Sequence, residues 1–297
     1  MAIDEACERV GFLTVVGHGV PSELIDTTWR TARDFFDLAL ADKMTVAMPY
    51  PGYPYGYSPL TGESLAASLG HAGHPDLKES FAIGPVDRPT HTISDPEEAF
   101  AWSENLWPKK MPGMRNVWEG YFRACSQLSA RILSLMAIAL HLPEHHFDPT
   151  IDRHTSAMRA LNYPVVDEPL PGQLGAGAHT DYGTLTVLLP DPVQGGLQVQ
   201  SPDGEWHGVE PVPGSFVVNL GDAMARWTND RWRSTMHRVL NPQARRQSIA
   251  FFHNANWDAV IECLPTCLPS GGNPKYAPIA AGPHLMQKFR STVKADE

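Results

Sequence analysis

Three segments of this sequence place a histidine two residues before an aspartate: His74-Pro75-Asp76, His146-Phe147-Asp148 and His179-Thr180-Asp181. An imidazole and a carboxylate at that spacing can share one metal ion, because residues i and i+2 of an extended segment project to the same side. With 13 histidines and 33 acidic residues in 297 positions, such triplets also arise by chance, so context must separate them. His74 lies in a Gly/Pro-rich stretch with no strand around it, and His146 is followed at once by Pro149. His179 is different. It follows the small-residue run Gly175-Ala-Gly-Ala178 and precedes Thr184-Leu-Thr-Val-Leu-Leu189, a strong strand signal. A third candidate ligand, His237, sits in the later extended-looking segment Ser234-Thr-Met-His-Arg-Val-Leu240. Alone it reads as a hydrogen-bonded barrel histidine; with His179 and Asp181 it completes two histidines and one carboxylate. Such a set on one face of a metal leaves positions open for cosubstrate and oxygen, as in non-haem iron oxygenases. A structural zinc site would more often be closed by four Cys/His ligands.

Downstream, Arg246-Gln-Ser248 opens the run Ile-Ala-Phe-Phe-His253. Its i, i+2 spacing sends the arginine fork and the serine hydroxyl to one face, a pairing suited to a carboxylate. Arg245 then points the other way. Read alone, Arg245-Arg246 is merely a polar strand start; beside an open metal face the clamp reading gains weight.

These side chains need a rigid support, and the patterning changes along the chain to supply it. The N-terminal part, to about residue 150, reads as mainly helical. Ser22 is a candidate cap for a helix from about Glu23 to Leu40, with Ile25, Trp29, Phe36 and Leu40 near one face. A Pro/Gly/Tyr-rich stretch from Pro49 to Pro59 is loop. A longer helical pattern runs from about Arg115 to Leu142, where Val117, Tyr121, Cys125, Leu128, Ile132, Leu135 and Ala139 recur at spacings of three and four. Pro143 ends it. From about residue 155 to 297, short apolar or alternating runs separated by Gly, Pro, Asn and Asp predict strands over Ala157–Tyr163, Thr184–Leu189, Gly196–Gln200, Ser215–Leu220, His237–Leu240, Ser248–His253 and Ala259–Cys263. The expected architecture is one domain, mainly β with α: a β-barrel core braced by N-terminal helices.

Composition excludes several classes. Hydrophobic residues are 42% and charged residues 19%, an ordinary globular balance. A net charge of −10 lacks the footprint of nucleic-acid or anionic-membrane binding. No stretch reaches about 18 uncharged apolar residues, so no membrane helix is expected. The N-terminus is acidic from Asp4 onward and lacks a signal-peptide pattern. The four cysteines are scattered; Cys263 and Cys267 have Pro265 between them and no second Cys or His pair nearby. Reduced thiols in a cytoplasmic protein are the expectation. Gly175-Ala-Gly177 lacks the third glycine of a dinucleotide loop, and no Gly-x-Ser-x-Gly elbow is present.

Taken together, His179-Thr-Asp181, Val217-Val-Asn-Leu-Gly-Asp222, Trp227-Thr-Asn229, Ser234-Thr-Met-His-Arg-Val239 and Arg246-Gln-Ser248 resemble the isopenicillin N synthase-like iron/2-oxoglutarate oxygenases. Earlier segments agree: Gly11-Phe12, His18-Gly19-Val20, Asp76-Leu-Lys-Glu79, Asn162-Tyr-Pro164 and Gly195-Gly-Leu-Gln198. The resemblance covers almost the whole chain. In one departure, the sequence starts at Met1 almost inside the first helix, where the family usually has a short strand before it; a shortened chain and a dispensed-with strand are both open readings.

The resemblance implies a double-stranded β-helix (jelly-roll) core with Fe(II) held by His179, Asp181 and His237. It implies that Arg246 and Ser248 bind the distal carboxylate of 2-oxoglutarate, with Tyr163 contributing its hydroxyl. Phe252 matches a position that often faces substrate; Met158 and Arg159 are candidates for the same pocket. The implied reaction couples oxidative decarboxylation of 2-oxoglutarate by O2 to oxidation of a substrate C–H bond, hydroxylation by default and desaturation or ring closure as branches. An oxidase of the same fold that uses no 2-oxoglutarate, and a non-catalytic barrel binding module, are the alternatives. The expected substrate is a small molecule such as a secondary metabolite or amino-acid derivative. The Pro49–Pro59 loop, with Tyr50, Tyr53, Tyr55 and Tyr57, and the segment from Ser64 to His74 are candidates to cover the site. Oligomeric state is not legible.

Overall fold

The structure is a computed structural model that describes residues 2–50, 52–65, 74–89 and 92–292. Eight α-helices occur among them: α1 (Ala2–Arg9), α2 (Ser22–Phe36), α3 (Leu40–Met44), α4 (Pro96–Ala101), α5 (Met114–Ala139), α6 (Asp148–Ile151), α7 (Asp222–Trp227) and α8 (Ala281–Thr292). The strands that build the core are β1 (Phe12–Val15), β2 (Gly56–Ser58), β3 (Glu79–Ile83), β4 (Ala157–Tyr163), β5 (Ala176–His179), β6 (Leu185–Leu189), β7 (Leu197–Gln200), β8 (Trp206–Gly208), β9 (Phe216–Leu220), β10 (His237–Val239) and β11 (Arg246–His253). No helix among the described residues is long and apolar enough to cross a membrane.

Seven strands form one antiparallel sheet in the order β1-β9-β6-β11-β4-β3-β2, and four form a second in the order β5-β10-β7-β8. The expected helical N-terminal part is therefore only partly helical: β1, β2 and β3 extend the large sheet at both ends. These strands are three to five residues long, too short for alternation to stand out from loop. α2 also differs from expectation. It begins at Ser22 with Pro21 as its N-cap and no side-chain cap bond, and it ends at Phe36. Leu40 starts α3 and is exposed.

Strand alternation divides the large sheet into two faces. On β11, Ile249 and Phe251 face the helices, where the Phe122 ring of α5 meets Phe251 edge-on at 4.9 Å. Met158 and Ala160 of β4, Val187 of β6, and Phe216 and Val218 of β9 share this helix-side core. The alternate residues look into the space between the sheets: Leu161 and Tyr163 of β4, Val217 of β9 and Ala250 of β11 pack there with Ala176, Leu197 and Val239 of the small sheet. The helices thus cover one face by apolar burial, leaving the other for chemistry.

Adjacent phenylalanines on β11 make the division measurable. Phe251 is fully buried, and Phe251→Ala should cost about 3–5 kcal/mol in denaturant unfolding. Phe252, half-buried on the opposite face, should cost clearly less when changed to Ala.

The helix-side core also holds two histidines. His253 Nδ1 shares a hydrogen bond with Thr184 Oγ1 at 2.7 Å, and its ring lies 5.2 Å from that of His154. Burial, reinforced by His154, holds His253 well below the ordinary histidine value, and burial also lowers His154. A depressed folded-state pKa means that the unfolded chain takes up protons first as pH falls. Stability from these neutral rings is therefore complete above about pH 6.5 and declines below it, by up to about 1.4 kcal/mol per pH unit for each ring. His253→Gln should flatten the pH dependence of unfolding free energy between about pH 6.5 and 5.

Candidate active site

His179 is the last residue of β5, His237 is the first of β10, and the two are partners in the antiparallel register. The ladder itself brings their rings together, with centroids 4.2 Å apart. Asp181, just beyond β5, places Oδ1 4.0 Å from His179 Nε2 and 3.8 Å from His237 Nε2. The three candidate ligand atoms lie within 4.8 Å of one another, and no other such cluster occurs among the described residues.

The donor set fits a divalent cation. His179 Nδ1 lies 2.7 Å from the Gly177 carbonyl and His237 Nδ1 lies 3.1 Å from the Thr235 carbonyl. Each Nδ1 must carry the proton to make these bonds, so each Nε2 lone pair is free to coordinate. Burial, and then the closeness of the His237 ring, pushes His179 down to about 3, which keeps it neutral. Asp181 is held below the ordinary carboxylate range. Burial alone would raise it, but the two imidazoles and two hydrogen bonds outweigh that effect. Those bonds come from Thr186 Oγ1 at 2.5 Å and Asn219 Nδ2 at 2.7 Å, both to Oδ2. Oδ1 is left toward the histidines.

Close backbone packing supports the loop that carries Asp181. A Cβ on Gly221 would come 2.2 Å from the Gly183 carbonyl oxygen, so only glycine permits this approach without displacement. Immediately afterwards the Asp222 N–H donates to the Asp181 carbonyl at 2.8 Å. The start of α7 is thereby tied to the aspartate.

Arg246 and Ser248 lie on the inward face of β11, and Arg246 pairs in register with Tyr163 of β4. The Arg246 guanidinium is buried and sits 4.8 Å from the centroid of the Tyr163 ring. Its Nε donates to the Gly195 carbonyl at 2.9 Å, and Nη1 donates to Ser248 Oγ at 3.4 Å. A desolvated guanidinium beside a hydroxyl can bind a carboxylate strongly. Arg245 points away, as its position requires, bonding Asn162 and the Asp37 carboxylate at the end of α2.

The remaining candidates separate. Arg159 is half-buried, with Nη1 3.0 and 2.9 Å from the two carboxylate oxygens of Glu63. Met158 is next to it in sequence and so on the other face, fully buried in the helix-side core. It is therefore corrected from a pocket residue to a core residue. The tyrosine-rich loop is also more structural than expected: Tyr53, Tyr55 and Tyr57 are buried, and their hydroxyls donate to the Glu104 carbonyl, the Ala101 carbonyl and the Glu79 carboxylate. Tyr50 is exposed. In the other suggested cover, from Ser64 to His74, residues 66–73 lie outside the described residues. Of the two competing triplets, Asp76 instead accepts from the Gly177 N–H and Lys78 Nζ, and Asp148 bonds His145 on the surface. Thr186 and Asn219 have no role assigned from the sequence; inward alternation on β6 and β9 is the signal that singles them out.

Comparisons with known proteins agree with this geometry. Residues 154–255 match the 2OG-Fe(II) oxygenase superfamily, and residues 1–110 match the N-terminal region of the non-haem dioxygenases described for morphine synthesis. The 2-oxoglutarate-Fe(II) type oxidoreductase hxnY of Emericella nidulans is 38% identical over 286 residues, covering 93% of this chain and 80% of that protein. A full-length Neurospora crassa protein, solved in complex with alpha-KG, superposes with a TM-score of 0.85 at 31% identity, covering 98% of this chain and 89% of that one. The same protein has also been solved with alpha-KG and thymine. JOX2 in complex with 2OG, Fe and JA has a TM-score of 0.79 at 28% identity, covering 99% of this chain and 85% of that one. The two sheets described above are the jelly-roll core of these enzymes, and the chain belongs to the 2-oxoglutarate/iron(II) oxygenase superfamily, in its isopenicillin N synthase-like branch.

Proposed function

We propose that His179, Asp181 and His237 hold Fe(II), and that Arg246, Ser248 and Tyr163 bind the distal carboxylate of 2-oxoglutarate. The enzyme then hydroxylates a C–H bond of a small organic substrate seated near Phe252 and Arg159. The observation that carries this reading is the convergence of the three ligand atoms within 4.8 Å inside a barrel that also buries the Arg246 guanidinium. Iron(II) with 2-oxoglutarate and O2 supplies the oxidising power: the cosubstrate becomes succinate and CO2, and one oxygen atom enters the substrate C–H bond.

The chain's own residues position and protect this chemistry. The Gly177 and Thr235 carbonyls fix the two imidazoles in one tautomer, so the metal face is organised before anything binds. Thr186 and Asn219 occupy one oxygen of Asp181 and favour coordination through the other. The Gly195 carbonyl anchors Arg246 at Nε, which leaves the terminal nitrogens of the fork to meet a carboxylate. Burial of Arg246, Tyr163 and Ser248 keeps water from competing for that contact. Arg159 offers a charged group to orient polar substrate atoms, and Phe252 an apolar surface.

The chain is read as one catalytic domain, supported by the entry of β1, β2 and β3 into the same sheet as β11. A cytoplasmic location is supported by four free cysteines, of which Cys7 and Cys125 are buried with thiols pushed up to about 12 by burial.

Anaerobically purified protein supplied with Fe(II), 2-oxoglutarate and O2 should form succinate, faster with a true substrate, and His179→Ala should abolish it together with tight iron binding. Substrate turnover without 2-oxoglutarate would instead establish the oxidase reaction, and unchanged iron binding in His179→Ala would refute the ligand assignment. Arg246→Ala should raise the KM for 2-oxoglutarate by about 30-fold or more, the loss expected when a charge-assisted pair worth about 2 kcal/mol or more is removed. Iron affinity should change little, and steady-state kinetics with a direct metal-binding titration separates the two effects.

A further inference from the structure

A second cleft, of about 840 Å³, opens near the Asp181 loop but outside the triad. Thr180, between two of the candidate iron ligands, and Met236, just before the third, both line it, together with side chains of α7 and α8. His179, Asp181, His237 and Arg246 are absent from its described lining.

Its charge runs against that of the chain. Arg9, Arg226, Arg233 and Lys288 line it against Asp222 and Asp230, in a protein of net charge −10. The two acids are already compensated, Asp222 by Lys288 at 2.8 Å and Asp230 by Lys275 at 3.1 Å, and Arg9 is likewise paired with Glu5 at 3.2 Å. Arg226 and Arg233 make hydrogen bonds to the neutral Ala277 and Glu8 carbonyls, which leave their charge in place. The cleft is also rich in unmet hydrogen-bonding capacity. Of twelve buried side-chain N and O atoms without a partner among the described residues, three belong to its lining: Arg226 Nε, Ser234 Oγ and His284 Nε2. His284 is only 7% exposed. Leaving such a group unsatisfied costs about 1–3 kcal/mol, so their concentration in one cleft points to a ligand. All three can donate. Tyr276, which stacks on Arg226 at 4.7 Å, and Met236 add apolar surface.

We infer that this cleft binds a small organic acid, its carboxylate taken by Arg226, Ser234 and His284 after a local side-chain shift and its body resting on Tyr276 and Met236. The site also has a route to the Asp181 loop. Asp222 pairs with Lys288, accepts from Thr180 Oγ1 at 3.4 Å, and donates its backbone N–H to the Asp181 carbonyl. A carboxylate held at Arg226 and His284 stands beside the Lys288–Asp222 pair, so it also draws on Lys288, loosens Asp222 and perturbs the loop carrying Asp181.

The test is calorimetric titration of phenylacetate into the full chain loaded with Co(II) and saturating 2-oxoglutarate, which fills the barrel clamp. Sodium phosphate and sodium chloride at equal ionic strength serve as controls. Saturable binding is expected, weakened at least tenfold in Arg226→Gln and in Ser234→Ala but unchanged in Arg159→Gln, which alters the barrel interior instead. Saturation should also shift the visible Co(II) spectrum. If Arg226→Gln does not fold, Lys288→Gln on the cleft wall takes its place, with the same weakening expected. Absence of saturable binding, equal binding of phosphate, or loss of binding in Arg159→Gln alone would overturn the site; an unchanged spectrum at saturation would overturn the coupling. A titration repeated on metal-free protein separates failure of this site from failure of the active-site assignment, because the cleft requires neither iron nor turnover.

Discussion

A buried carboxylate is costly unless every exposed lone pair is matched, and Asp181 is the carboxylate around which this barrel is arranged. Two donors meet its Oδ2, Thr186 from β6 and Asn219 from β9, and these residues stand opposite one another in the β6–β9 register. A slip of one residue would turn both to the helix side and strand the charge. The register is in turn fixed by what lies on the other face. Leu185 and Val187 of β6 and Val218 and Leu220 of β9 are buried against the helical layer, and each such side chain favours its burial by about 1.5–3 kcal/mol. Apolar packing of the helices thus specifies a polar geometry on the far side of the sheet.

The same dependence explains why the N-terminal part is integral to the site. β3 pairs with β4, which carries Tyr163 and Arg159, and β1 pairs with β9, which carries Asn219. Glu79 at the head of β3 accepts from Lys43 of α3, Tyr57 of β2 and Asn162 of β4, binding three separate elements to one buried acid. Phe12 of β1 meets the His237 ring edge-on at 5.6 Å. Helices and added strands hold the histidine-bearing ladder from behind and from its edge.

Much of the barrel is legible in the sequence where the period-two signal is strong. Ala157–Tyr163 reads as a strand and forms one with the same bounds. Arg246 and Ser248 fall on one face and Arg245 on the other, as alternation requires. Met158 fails as a pocket candidate by that same alternation: a residue beside Arg159 cannot share its face. β5 is harder to read, since Ala176-Gly-Ala-His179 has little intrinsic strand preference; it is extended because β10 pairs with it. The tyrosines of Pro49–Pro59 look like a cover over the site by composition, yet each buried hydroxyl there has found an acceptor that no local pattern announces. Partners distant in sequence, such as Thr186 and Asn219 on Asp181, are specified by topology and emerge only with the register.

One network, buried at Lys78 and Asp76 and half-buried at Arg159 and Glu63, joins the proposed substrate side to the metal side. Arg159 holds Glu63, Lys78 lies 3.4 Å from Glu63 and 2.6 Å from Asp76, and Asp76 accepts the Gly177 N–H at 2.8 Å. The Gly177 carbonyl in turn lies 2.7 Å from His179 Nδ1. Two acids and two bases balance formally, but each is stable in the interior only while its neighbours remain, since removing one member leaves an uncompensated buried charge. Burial opposes ionisation of both Glu63 and Lys78, and their partners overcome it in each case. A change at Glu63 that frees Arg159 for a different substrate must therefore also disturb Lys78, and through Asp76 the strand that presents His179. If Arg159 faces substrate as proposed, selectivity and metal geometry in this barrel draw on the same charges, so neither can be altered in electrostatic isolation from the other.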